Sequence, residues 1–290
     1  MPNDLHFHKQ PSMPGLLLRA AITRKSANAS GAPQLNAHLE QLQVNTEKLQ
    51  RYNSVCGFDT GANFLPATYP HIAAFSLQME MLLHKSFPFS PIGMVHTRNR
   101  ISQFRPISAS DQLALSCSIG DSRDTDIGLE VDILTEASAQ GETVWTELGT
   151  MLKLNKSKTA NAKPAKKHAP LSTYDKQEQW SLASNLGRRY ARVSGDFNPI
   201  HLFPASAKLL GFKRHIAHGM WSKARCLAAL QAQLNADAFC IDVEFKTPLF
   251  LPADVSLHYS RAEGGIEFSL RNAAGTRPHV NGTLTALTPD

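Results

Sequence analysis

Two stretches of this chain spell nearly the same octamer. The first is Arg51-Tyr52-Asn53-Ser54-Val55-Cys56-Gly57-Phe58, and the second is Arg189-Tyr190-Ala191-Arg192-Val193-Ser194-Gly195-Asp196. Arg, Tyr, Val and Gly recur at the same relative places. Each copy is followed by an apolar helical stretch, His71–Leu83 or Met220–Leu234, and then by a strand-like segment ending in proline, Ile101–Pro106 or Val243–Pro248. The tyrosines are 138 residues apart and the prolines 142. A near-constant offset, with the same features in the same order, means one unit copied twice, so the chain folds as two related halves. With 290 residues, 42 % of them hydrophobic, it can fill two cores.

The join between the halves is visible in the composition. Residues 155–170, NKSKTANAKPAKKHAP, hold five lysines, no acid and no large apolar side chain, as a tether does. This gives an N-terminal unit over 1–154, a basic linker over 155–170 and a C-terminal unit over 171–290. Five of the six net positive charges sit in the linker. The basicity therefore does not describe a nucleic-acid-binding face, and no nucleic-acid partner is expected. No run of 18 apolar residues is present, and MPNDLHFHKQ has no signal-peptide core, so no membrane association and a cytoplasmic location are expected. Cys56, Cys117, Cys226 and Cys240 have no patterned spacing and are expected to be reduced and buried.

After its helical stretch each half becomes a run of strands. In the first half these are Leu113–Ile119, Ile127–Leu134 and Thr143–Leu154. In the second they are Asp254–Arg261, Ile266–Arg271 and His279–Leu287. A helix apolar along most of its length has to be wrapped rather than laid on a surface. A curved antiparallel sheet does that. The expected fold is α+β, a hot-dog unit in two copies that pair as a pseudo-dimer within one chain.

Chemistry concentrates in Tyr190-Ala-Arg-Val-Ser-Gly-Asp-Phe-Asn-Pro-Ile-His201. Gly195 and Asn198-Pro199 break any helix here, so the segment is a turn. A turn can aim Asp196 and His201 into one cavity, where a carboxylate and an imidazole sharing a water form an acid/base pair. Asn198 can hold the turn through the local backbone. Either member of the pair can take either task.

This segment resembles the signature of the MaoC-like dehydratases, including the R-specific enoyl-CoA hydratases: Tyr, a short gap, Ser-Gly-Asp-x-Asn-Pro-Ile-His, then a small residue, here Ala207. Downstream, Ile216-Ala217-His218-Gly219-Met220 is similar to the His-Gly-Met that opens the family's central helix. The match is close in the second half, and the first half is similar to the N-terminal half of two-hot-dog members. The resemblance implies reversible syn hydration of a trans-2-enoyl thioester to a (3R)-3-hydroxyacyl thioester, carried by CoA or acyl carrier protein. It implies Asp196 and His201 as the catalytic pair, Asn198 as their support, and Gly219 and Ser194 as oxyanion or substrate-binding residues. It calls for no metal and no cofactor. A backbone N–H at a helix start suits a developing thioester oxyanion independently of any family. The chain departs from many relatives at Phe203, where they carry an acid.

In the first half Phe58 stands at the place of Asp196 and Asn63 at that of His201, so one site per chain is expected and the first half is read as scaffold. A widened cavity for longer acyl chains is the sharper reading of that loss. His6 and His8 form an H-x-H for which metal binding is possible but not expected. His215 and His218, three apart, could share a helix face, with a structural hydrogen bond expected of His218. Lys208, Lys213, Arg214 and Arg225 are candidates for the phosphates of CoA or a carrier's phosphopantetheine. Two rival functions are a hot-dog acyl-thioesterase and a non-catalytic acyl-thioester-binding module. A homodimer of such chains is a further expectation.

Overall fold

The computed structural model describes residues 3–23, 33–155 and 171–288; the linker, apart from Asn155, lies outside them. The first half runs β1 (Asn3–Phe7), α1 (Met13–Ile22), β2 (Leu35–Leu42), α2 (Thr46–Cys56), α3 (Tyr69–Leu83), β3 (Met94–Gln103), β4 (Leu113–Asp124), β5 (Gly128–Ala139) and β6 (Glu142–Leu154). The second runs β7 (Lys176–Leu182), α4 (Leu186–Ser194), a 3-10 turn (Pro199–His201), α5 (Pro204–Leu209), α6 (Gly219–Leu234), β8 (Phe239–Phe245), β9 (Ala253–Ala262), β10 (Gly265–Asn272) and β11 (Pro278–Ala286).

All eleven strands form one sheet in the order β1-β2-β4-β5-β6-β3-β8-β11-β10-β9-β7. Read outward from its centre, β3-β6-β5-β4-β2 on one side has the same order as β8-β11-β10-β9-β7 on the other. The duplication is thus a pseudo-two-fold, and β3 and β8 join the halves antiparallel with Ile101 opposite Ile241. The strand β1, parallel to β2, and the helix α1 are additions to the first half.

The helices α3 and α6 are the two wrapped helices. Twelve of the 15 residues of α3 are buried, as an all-round apolar helix requires. The strands show the alternation of half-buried sheet, clearest in β4, where buried and half-buried residues alternate over its first eight positions. Gln140 and Gly141, both at positive φ (54° and 85°), make the tight hairpin between β5 and β6. Pro106 and Pro248 lie beyond the ends of β3 and β8, because proline cannot donate to a ladder between central strands. This is the double hot-dog architecture, and all four cysteines are free and buried.

The matching short helices α2 and α4 meet at the pseudo-two-fold. Each ends in a glycine in the left-handed region, Gly57 at φ 83° and Gly195 at φ 85°. Their tyrosines are fully inside, with the rings of Tyr52 and Tyr190 6.1 Å apart.

Candidate active site

The Gly195 cap turns the chain out of α4 and starts a run of backbone-to-side-chain bonds. The Asp196 N–H donates to Ser194 Oγ (3.2 Å), the Asn198 N–H to Asp196 Oδ1 (3.0 Å) and the Ile200 N–H to Asn198 Oδ1 (3.4 Å). Each short polar side chain thus satisfies the backbone two residues on, which is how Asp and Asn hold turns. Pro199 then opens the 3-10 turn that carries His201. Gly187 in α4 lets that turn dock: a Cβ there would sit 2.0 Å from the His201 carbonyl oxygen.

His201 is buried, and its Nδ1–H donates to the Ile216 carbonyl (2.9 Å). That bond fixes the tautomer and leaves Nε2 as the nitrogen with a lone pair. The His218 ring stacks on His201, with centroids 3.7 Å apart, and packs against Tyr190 at 4.8 Å. His218 Nε2–H donates to the Asp196 carbonyl (3.0 Å) and lies 3.8 Å from Asp196 Oδ2. The expected structural hydrogen bond of His218 is therefore present, and it ties α6 to the Asp196 turn. His215 does not share a helix face with it. Both histidines precede α6, and His215 Nε2–H donates to the Ser184 carbonyl instead.

The electrostatics separate these groups. Burial pushes the Asp196 carboxyl up, but His218, His201 and the Asn198 N–H outweigh it and hold it below the ordinary carboxylate range. Burial pulls His201 below its usual value, more than Asp196 raises it. Burial and then His201 pull His218 down to about 3. Near neutral pH the site holds an ionised carboxylate beside two neutral imidazoles.

Gly219 is the first residue of α6, so its N–H is among those a helix start leaves without an intrahelical acceptor. A Cβ at Gly219 would lie 2.9 Å from the Phe245 ring, so glycine is what allows β8 to close against this helix end. Asp196, Asn198, His201, Ser194 and Gly219 all line one cavity of about 590 Å³, which brings the motif residues together. Ser194 Oγ accepts the Asp196 N–H, so it shapes the turn as well as lining the wall. About half of the remaining wall comes from the first half, including Ile72, Phe75, Met79, Leu82 and Met151.

Ligand atoms of Asp196, His201 and His218 lie within 4.8 Å of one another, a spacing a divalent cation can also use. Of the basic candidates, Lys208, Lys213 and Arg214 are exposed. Arg225 instead stacks its guanidinium over Trp180 (4.2 Å) and lies 3.6 Å from Glu178. His8 donates to Glu40 at 2.8 Å. Phe203, in the place of the relatives' acid, lies under the Arg188 guanidinium at 4.7 Å, and Arg188 also donates to the Leu202 carbonyl. The loop is thus anchored by a cation–π contact.

A match to the family described as MaoC like domain covers residues 165–281. The chain is 34 % identical over 281 residues to 3-hydroxyacyl-thioester dehydratase X of Mycobacterium tuberculosis, spanning 96 % of this chain and 99 % of that one. This chain belongs to the MaoC-like dehydratase family. A crystal structure of HtdX from the same bacterium superposes with a TM-score of 0.75 at 33 % identity, over 87 % of this chain and 100 % of that one. A MaoC-like dehydratase from Phytophthora capsici shares the fold, with a TM-score of 0.67 at 20 % identity, over 92 % and 99 % of the two chains.

His218 and Phe245 were not assigned to the site from sequence, and of the first-half wall only a general role in accommodating the acyl chain was expected. A His-Gly pair opening a helix was their one local signal; the rest is tertiary.

Proposed function

We propose that this MaoC-like chain interconverts (3R)-3-hydroxyacyl thioesters and trans-2-enoyl thioesters, carried by CoA or acyl carrier protein, at one site in its second half. The observation that carries the reading is the Asp196–His201 pair. The imidazole is neutral, has its Nδ1–H committed to Ile216 and its Nε2 free, and stands beside an ionised carboxylate at the mouth of an apolar cavity. The similarity to a 3-hydroxyacyl-thioester dehydratase supports the substrate class.

In the dehydration direction His201 Nε2 takes the C2 proton. The C–H electron pair moves toward the thioester, and the oxygen's charge faces the Gly219 N–H at the start of α6. The C2=C3 bond then forms as the C3–O bond breaks. The imidazolium returns its proton to the departing hydroxide on the same face, giving water. Asp196 remains ionised throughout: it stabilises the imidazolium and orients the water. Hydration is the reverse. Asn198 and Ser194 hold the turn that sets this geometry.

The test is to mix the purified chain with trans-2-enoyl-CoA thioesters of several lengths. Loss of enoyl absorbance without thiol release, giving (3R)-hydroxyacyl product, is expected. Thiol release would mean a thioesterase, and binding without turnover would mean a binding module.

A further inference from the structure

The wall that the first half contributes is not simply apolar. Glu147 on β6 is buried there and accepts hydrogen bonds from His71 Nδ1–H (2.7 Å), Asn99 Nδ2–H (2.6 Å) and Gln78 Nε2–H (3.4 Å). Asn99 Nδ2 also lies 3.4 Å from His96 Nε2. On the far side Lys223 Nζ, fully buried, donates to Asn99 Oδ1 and to the carbonyls of Asn99 and Ile241. Burial pulls Lys223 down to about 7, and His71, Asn99 and Lys223 overcome burial to hold Glu147 at about 2.

An alkyl chain gains nothing from such a wall. Burying ionisable groups is costly, and well-packed apolar side chains of the same volume do at least as well for stability. Four of these side chains, His71, Gln78, His96 and Glu147, line the cavity beside Asp196 and His201. Within the described residues, His71 spends Nδ1 on Glu147 and has no recorded partner for Nε2. Glycine at position 149 leaves room beside His96, since a Cβ there would sit 3.2 Å from its Nε2. One ring separates this cluster from the oxyanion end, because Phe245 packs on His96 (centroids 5.1 Å) and abuts Gly219. Side-chain exposure falls from 32 % at Asp196 to 12 % at His71 and 1 % at Glu147. His71 shares α3 with Ile72, Phe75, Met79 and Leu82, the apolar wall an acyl chain would lie against, which puts the cluster on the acyl side of the thioester rather than the carrier side.

From this we infer that the first half holds a second recognition site, in which His71, held by Glu147, hydrogen-bonds a hydroxyl or oxo oxygen on the acyl chain beyond the reacting carbons. The preferred substrates are thus oxygenated acyl thioesters. The inference rests on the proposed hydratase reading, and its test separates the two.

The full-length chain is assayed on trans-2-enoyl-CoA thioesters of one medium length, the alkyl parent and a set with a hydroxyl at successive carbons beyond C3. At one position kcat/KM is expected to exceed the parent's by about tenfold, the worth of one well-made hydrogen bond. In His71→Leu the ratio of the two kcat/KM values falls by about the same factor. Glu147→Gln, which keeps the shape but loosens His71, lowers that ratio less. A hydroxyl that is neutral or harmful at every position overturns the inference while leaving the hydratase reading intact. So does a ratio unchanged in folded His71→Leu. If that variant does not fold, the wild-type comparison alone decides. No turnover of any thioester overturns both readings.

Discussion

His201 can act as a base because the fold treats its two nitrogens differently: Ile216 holds the Nδ1–H, and Nε2 is left free. Burial holds its pKa below the ordinary value, so the neutral, competent form persists further into acid than in a free histidine. The acid limb of kcat/KM should therefore be centred below pH 6.5, and a limb centred above it would mean a different base. The three-ligand spacing of Asp196, His201 and His218 gives a second check. Dialysis against a chelator should leave turnover unchanged; loss restored by a divalent cation would reassign the three as metal ligands. That Asp196, Asn198 and His201 meet was legible in the sequence because they share one contiguous turn, and Gly219 followed from the resemblance of His218-Gly219-Met220. Glu147 and Lys223 were not legible. A lone Glu in a strand and a lone Lys in a helix read as solvated faces; Glu147 is buried among His71, Gln78 and Asn99 of its own half, and Lys223 by reaching Asn99 of the other.

At the scale of elements, two glycines set how closely backbone and rings approach the site. A side chain at Gly187 would run into the His201 carbonyl, and one at Gly219 into the Phe245 ring. Gly187→Ala should push the 3-10 turn away from α4, costing roughly 1–3 kcal/mol as overpacking does. It should also lower kcat, because a shift of the pair by about 1 Å costs about a hundredfold. Urea denaturation and steady-state rates on the same sample would check this; unchanged kcat would show that the turn does not depend on that contact. The wrapped helices α3 and α6 and the strands that follow them were legible from periodicity, their ends less so, and β1, α1, β2 and β7 were not expected. The strand β5 was expected to stop at Leu134 but continues to Ala139, because its hairpin partner β6 extends the ladder to Glu142.

Taken whole, the molecule is a duplication whose halves have diverged in task. The second half carries the turn, while the first has Phe58 and Asn63 at the places matching Asp196 and His201 by count and supplies part of the cavity wall. The duplication was readable from the matched octamers. The shared cavity was not, since it exists only once β3 and β8 pair. Buried imidazoles should make this assembly acid-labile. Burial lowers His96 and His218 to about 3 in the folded chain, against 6.5 for an ordinary histidine. Below pH 6.5 the unfolded chain takes up protons that the folded one refuses. Stability present above pH 6.5 is therefore lost as pH falls toward 3, by about 1.4 kcal/mol per unit for each group. The urea midpoint should be lower at pH 5 than at pH 7, and an unchanged midpoint would contradict the assignment. The central claim is that Asp196 and His201 act as one unit and carry the chemistry for the whole chain. It is tested most directly by kcat on an enoyl-CoA for Asp196→Asn, His201→Ala and the double variant. Each single should lose about 10²–10⁴-fold, with the double no worse than the poorer single. Near-wild-type turnover in either single variant would contradict it.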